Sequence, residues 1–178
     1  CIVEGANLEN RYQWKNTIGK PWDRKWNWSR WCVHDVTMGQ GEPKYYPYTN
    51  QSYGIGFFEY FMLSELLEAK PLPVLNVGLA CQFQSDELVK IDSEEFDCYI
   101  QDALDLIEFA NGPVDSKWGS LRAKMGHPES FNLEMIAIGN EQWETFHVNL
   151  YERATYFEKV IHEKYPDVKQ KMRFEELD

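Results

Sequence analysis

The residues of this 178-residue chain that could do chemistry gather at one point. Met135-Ile136-Ala137-Ile138 runs into Gly139-Asn140-Glu141, with Trp143 two residues further on. A short apolar run containing β-branched residues and halted by glycine predicts a strand buried on both faces. Asn140 and Glu141 then emerge at its C-terminal end. In parallel α/β folds that end holds ligands and catalytic carboxylates. The same pattern also fits a glutamate that merely opens a loop, so the elements around it must decide.

Other chemistries find little support. His127 reads as a loop residue and His162 as a helix-surface residue, and no His/Asp/Glu cluster has metal-ligand spacing. There is no glycine-rich phosphate loop, so neither a metal nor a nucleotide cofactor is expected. Cys1, Cys32, Cys81 and Cys98 form no CxxC pair, which leaves zinc and thioredoxin chemistry unsupported and one or two disulfides open. A net charge of −11 argues against nucleic acid, and the basic stretch Lys20 to Arg30 is too short and tryptophan-rich for a phosphate track. Hydrophobic content of 43% and charged content of 26% are globular values. No apolar run approaches the roughly 18 residues that span a membrane. No basic segment followed by an apolar one opens the chain, but Cys1 need not be the natural start, so the compartment stays open.

Around the Asn-Glu pair the pattern alternates. Residues 1–52 are rich in glycine, proline and aromatics, including Tyr12, Trp14, Trp22, Trp26, Trp28, Trp31, Tyr45, Tyr46 and Tyr48. Their density predicts a long ordered loop that could rim a substrate, because indole rings stack on sugars as readily as they pack loops. Gly54 to Lys70 has helical spacing, with Phe57, Phe58, Phe61, Met62, Leu66 and Ala69 on the apolar side. Pro73 to Leu79 predicts a buried strand. Glu95 to Asn111 predicts the clearest helix, with Ile100, Ala103, Leu104, Ile107 and Ala110 on one face and a stop at Asn111-Gly112-Pro113. A polar loop follows from Pro113 to Asn132, then the Met135 strand. A third helix runs from about His147 to Lys164 on Leu150, Ala154, Phe157 and Ile161. This alternation is the signature of βα units with a parallel sheet. From Lys169 to Asp178 the chain is mostly charged and predicts a solvated helix or frayed tail rather than a buried strand.

Three stretches, in this order, resemble the α-L-arabinofuranosidases of glycoside hydrolase family 51. They are Cys1-Ile2-Val3-Glu4-Gly5 with Arg11 to Gly19, Ala110-Asn111-Gly112-Pro113 through Trp118 to Glu129, and Ile138-Gly139-Asn140-Glu141. The resemblance covers Cys1 to Val168. It implies an α/β fold, part of a (β/α)8 TIM barrel with parallel strands, and residues 1–168 as its central portion around barrel strands 3 and 4. It also implies a retaining mechanism with two glutamates. Glu141 takes the place of the general acid/base and Asn140 that of the residue binding near the sugar 2-hydroxyl. Trp143 is placed to wall the sugar, and Cys1 falls near the pocket. An acid/base must protonate a leaving oxygen and then deprotonate water, so its pKa must cycle near neutrality.

The chain also departs from the family. A barrel takes about 250 residues and eight strands, and here two strands are expected. The Pro-Gly-Gly turn before Cys1 and the seventh strand with its nucleophilic glutamate are missing. Retention needs two carboxyl groups about 5–5.5 Å apart, and Glu134 and Glu144 read as surface charges. The 178-residue chain alone is therefore expected to be inactive. Its open strand edges favour a homo-oligomer. The partner implied is an arabinofuranosyl carbohydrate, with no nucleic acid and no membrane. Action on another glycoside such as a β-glucan, or a non-catalytic carbohydrate-binding or structural role, are the competing readings.

Overall fold

The computed structural model describes residues 3–27, 50–82, 85–140 and 148–172. Three parallel strands form a sheet in sequential order: β1 (Val74–Leu75), β2 (Met135–Ile138) and β3 (Lys169–Met172). Val74 pairs with Ala137 and Leu75 with Ile138, while Met135 to Ile138 pair with Lys169 to Met172. Helix α1 (Phe57–Leu66) precedes β1, α2 (Glu94–Asn111) and α3 (Lys117–Lys124) join β1 to β2, and α4 (Leu150–Lys164) joins β2 to β3. Each strand thus lies beside its predecessor after a helical crossover, an α/β arrangement wound in one direction.

The helices form where apolar periodicity and caps agree. Ser93 Oγ accepts from the Phe96 amide at 3.1 Å to start α2, whose first turn carries Glu94, Glu95 and Asp97 against the positive end of the helix dipole. Ile100, Ala103, Leu104, Leu106, Ile107, Phe109 and Ala110 are buried, in one cluster with Phe157 and Ile161 of α4 and Leu75, Ile136 and Ile138 of the sheet. Burial of each large side chain stabilises by about 1.5–3 kcal/mol. In β2, Ile136 and Ile138 are buried whereas Met135 and Ala137 are half-buried, so one face of the strand is less covered than its apolar run predicts.

The structure corrects several expectations. The Pro73 to Leu79 run yields only a two-residue strand, because Asn76 and Gly78 turn the chain out of the sheet. The loop expected from Pro113 to Asn132 contains α3. The charged segment after Val168 is neither helix nor frayed at its start: Lys169–Met172 pairs with all of β2, making three strands rather than two in the sheet of the described residues. A parallel ladder is made by backbone groups, and the Lys169 amide donates to Glu134 O at 2.8 Å whatever its side chain. On α1 the buried face is only Phe57, Phe58 and Phe61, while Met62 and Leu66 are exposed.

Within 3–27, two 3-10 turns, Trp14–Thr17 and Pro21–Asp23, interrupt irregular chain. Trp14 is buried between Phe109 and Trp118, with ring centroids 5.7 and 5.3 Å away, and its Nε1 donates to Asp102 O. Trp22 and Trp26 face outward. Arg24, its side chain fully buried, donates to Glu59 and to the carbonyls of Gly19 and Tyr53, while Glu59 accepts from the Gly56 amide at 2.8 Å and so caps α1. His127, expected in a loop, bridges to Glu65 Oε2 at 2.8 Å, and Glu134 pairs with Lys70 at 2.6 Å near the surface. Cys98 is an exposed free thiol, and Cys81 is half-buried. Trp28, Trp31, Tyr45, Tyr46 and Tyr48 lie outside the described residues.

Candidate active site at the C-terminal edge of the sheet

Asn140 leaves the sheet where its sequence predicts. Gly139 has φ +73°, a left-handed conformation that ends β2 abruptly, and its amide donates to Leu75 O at 2.8 Å. Asn140 follows, half-buried, at the C-terminal end of the central strand. Glu141, Trp143 and Cys1 lie outside the described residues, as does Glu144.

The neighbouring strand ends in a second asparagine that its apolar surroundings hide in the sequence. Asn76 is 8% exposed. Its Oδ1 accepts from the amides of Gly78 (2.7 Å) and Leu79 (3.0 Å), and its Nδ2 donates to Leu79 O (2.8 Å) and Val3 O (3.4 Å). The side chain therefore shapes the turn after β1 and ties the beginning of the described chain to it. Further along, the Cys81 amide donates to Gly5 O at 2.9 Å, and Glu87 Oε2 accepts from the Leu8 amide at 2.9 Å. Val3 to Leu8 thus lie across the loop that leaves β1, with Glu4 buried among them. The signal available in the sequence was an Asn-x-Gly interrupting an apolar run, as Gly-Asn does after Ile138.

Two connections meet at this edge, the one from β1 to α2 and the one from β2 to α4. The Val89 amide donates to Gly78 O at 2.7 Å, and Leu79 bridges Leu88, closing the first connection on itself. The described start of the second, Val148 and Asn149, precedes α4, with Asn149 in a left-handed conformation (φ 52°). Arg153 lies between them, buried at 1% exposure and pushed below its ordinary pKa by that burial. Among the described residues no three His, Cys, Asp or Glu side chains group so as to hold a metal ion, and no helix is long and apolar enough to cross a membrane.

Comparison with known proteins gives this edge its context. A family model described as the alpha-L-arabinofuranosidase 1 domain matches residues 1–174. The extracellular exo-alpha-L-arabinofuranosidase of Streptomyces chartreusis is 39% identical over 180 residues, covering 94% of this chain and 19% of that protein. Alpha-L-arabinofuranosidase 1 of Arabidopsis thaliana is 35% identical over 176 residues, covering 95% of this chain and 22% of its own length. The chain spans about a fifth of the length of these curated relatives. Among solved structures, the arabinose-bound MgGH51 α-L-arabinofuranosidase superposes with a TM-score of 0.74 at 26% identity, over 96% of this chain and 24% of that one. The family 51 enzyme of Thermotoga petrophila shares the fold, with a TM-score of 0.60 at 22% identity over 92% of this chain and 28% of that one. The chain belongs to the alpha-L-arabinofuranosidase 1 domain family, within glycoside hydrolase family 51.

Proposed function

We propose that the chain is part of a retaining glycosidase that releases terminal α-L-arabinofuranosyl residues from arabinose-containing polysaccharides or oligosaccharides. In this reading the three strands are consecutive strands of a (β/α)8 barrel. β1 and β2 take the third and fourth positions, so residues 1–168 belong to the catalytic barrel, and β3 extends it past 168. The observation that carries the reading is the sequential parallel order β1-β2-β3, with Asn140 leaving the C-terminal end of the central strand. Barrel glycosidases assemble their chemistry at that edge.

Glu141 follows Asn140 and serves as general acid/base: it protonates the leaving oxygen, then takes a proton from the water that hydrolyses the glycosyl-enzyme. Asn140 holds the sugar near its 2-hydroxyl, a contact that tightens as the ring gains oxocarbenium character. Trp143 walls the sugar, and Cys1 borders the pocket. The nucleophilic glutamate is supplied by chain beyond these residues, so the 178-residue chain alone turns over no substrate. Exposed Trp22 and Trp26 favour one second reading, a carbohydrate-binding piece without chemistry.

The test is Glu141→Ala in the full-length protein, assayed on an aryl α-L-arabinofuranoside. We expect kcat/KM on a substrate with a poor leaving group to fall by about 100-fold or more. Azide, a nucleophile that needs no general base, should restore turnover on an activated aryl glycoside. Wild-type rates in the variant would sink the assignment, and sugar binding without hydrolysis by the wild type would favour the second reading.

A further inference from the structure

We propose that Arg153 is a positioning residue for the candidate active site, locking the chain leaving β1 and the chain entering α4 in one arrangement; the inference rests on the placement of Glu141 proposed above. Arg153 sits in the first turn of α4. Its Nε donates to Val148 O at 2.8 Å, its Nη1 to Val77 O at 3.3 Å and its Nη2 to Val89 O. Val77 stands just past β1, Val89 closes the loop that begins there, and Val148 lies on the connection from β2. One guanidinium therefore bonds both connections that meet at the C-terminal edge. On the described part of the connection from β2, the Gly139 amide bonds Leu75 O and Val148 O accepts from Arg153.

The surroundings of Arg153 are shaped to it. Gly78 has φ +88°, and a Cβ there would stand 3.2 Å from Arg153 Nη1 and 3.2 Å from Val89 Cβ. The ring of Phe96 lies 5.4 Å from its Cζ. Among the described residues its hydrogen-bond partners are carbonyls, and no carboxylate pairs with it. Such a buried cation costs desolvation that an apolar side chain of the same volume would avoid. What it supplies instead is three directional bonds from a planar fork. Misplacing a catalytic group by about 1 Å can cost about 100-fold in rate, so the value of those bonds lies in geometry.

Arg122 provides an internal contrast. It too is 1% exposed and donates to carbonyls, those of Phe109, Gly112, His127 and Pro128. These groups lie at the C-terminal end of α2 and before β2, the opposite end of the sheet from Asn140. A stability role alone predicts the same functional cost for both arginines. A positioning role predicts a cost for Arg153 only.

The experiment uses the full-length protein with Arg153→Lys, Gly78→Ala and, as control, Arg122→Lys. Lysine keeps the charge but cannot reproduce the fork. Arg153→Lys should lower kcat on an aryl α-L-arabinofuranoside by about tenfold or more while KM changes less than about threefold. Hydrogen exchange should rise first in 76–89 and at the start of α4. Gly78→Ala should move the same readouts in the same direction, and it decides alone if Arg153→Lys fails to fold. Arg122→Lys should lower Tm yet leave kcat within about twofold, its added exchange lying in 109–112 and 127–133. Wild-type kcat in Arg153→Lys, or equal kcat losses in the two lysine variants at equal loss of Tm, would overturn the proposal. If the wild type cleaves no arabinofuranoside, the proposed activity fails and exchange decides for Arg153. An increase confined to 76–89 and the start of α4 supports positioning, and an even increase refutes it.

Discussion

Lys15 holds the early part of the chain on α2 by reaching two carboxylates, Asp102 at 2.7 Å and Asp105, with the Trp118 ring 5.1 Å from its Nζ. Burial by itself would raise the Asp105 carboxyl and lower Lys15. The hydrogen bonds between the groups, with Gln101 also donating to Asp105, outweigh it, so Asp105 lies below its ordinary value of 3.8 and Lys15 above its ordinary 10.5. Because the folded pKa of Asp105 is depressed, its contribution is present above 3.8 and is lost as pH falls through the depressed value. That of Lys15 is complete below 10.5 and is lost as pH rises through the raised value. Asp105→Asn should therefore cost about 1–3 kcal/mol at neutral pH. In denaturant melts the gap from wild type should close toward the acid end; a gap independent of pH would mean that the charge on Asp105 is not what stabilises. The sequence shows residue-scale chemistry only in part. Asn140 is legible because Gly139-Asn140 halts an apolar run, whereas Asn76 lies within one and the helical spacing of Leu150, Ala154, Phe157 and Ile161 does not single out Arg153.

At the scale of elements, what the sequence reveals depends on which residues carry the buried face. The sequence predicts α2 to within one residue because its core face is apolar and periodic and Ser93 caps it. The pattern predicts loop where α3 forms because its buried residues are Gly119 and Arg122, neither of which registers in an apolar pattern. β3 carries no apolar signal because a parallel ladder asks little of its side chains, and Lys169 is exposed. Gly119 offers a sharp test of how α3 sits. Replacing glycine by alanine inside a helix ordinarily gains about 1 kcal/mol. Here a Cβ would stand 2.1 Å from Pro113 O and 2.7 Å from Gly112 O, backbone atoms of the turn joining α2 to α3. The turn must move, so Gly119→Ala should lose about 1–3 kcal/mol instead. Urea unfolding of the variant measures the sign, and a gain in stability would show that α3 does not approach that turn so closely.

For the whole molecule, the pattern of exposure says more than the sequence could. α1 buries Phe57, Phe58 and Phe61 but leaves Met62, Leu63 and Leu66 exposed, with Leu67 and Leu72 beside them. A helix apolar on more than one face is a helix with more than one neighbour. Next to it runs a groove of about 330 Å³ between Phe57, Tyr60, Phe61 and Ser64 of α1 and the chain from Pro71 to Val74. Among the described residues β1 pairs on one side only, with β2, so this groove flanks an open strand edge. Open edges and apolar patches of this kind recruit other chains unless something covers them. In the proposed barrel the adjoining βα unit would do so. The 178-residue chain expressed alone should therefore associate, with a sedimentation mass above 21.1 kDa that rises with concentration. Leu66→Lys with Leu67→Lys should shift it toward monomer without lowering Tm, since both side chains are exposed. The same pair in the full-length protein should lower Tm instead, because the proposed barrel would bury that surface. A cooperatively unfolding monomer from the unmodified chain would mean that this piece closes its own core, and that the groove beside α1 is ordinary surface.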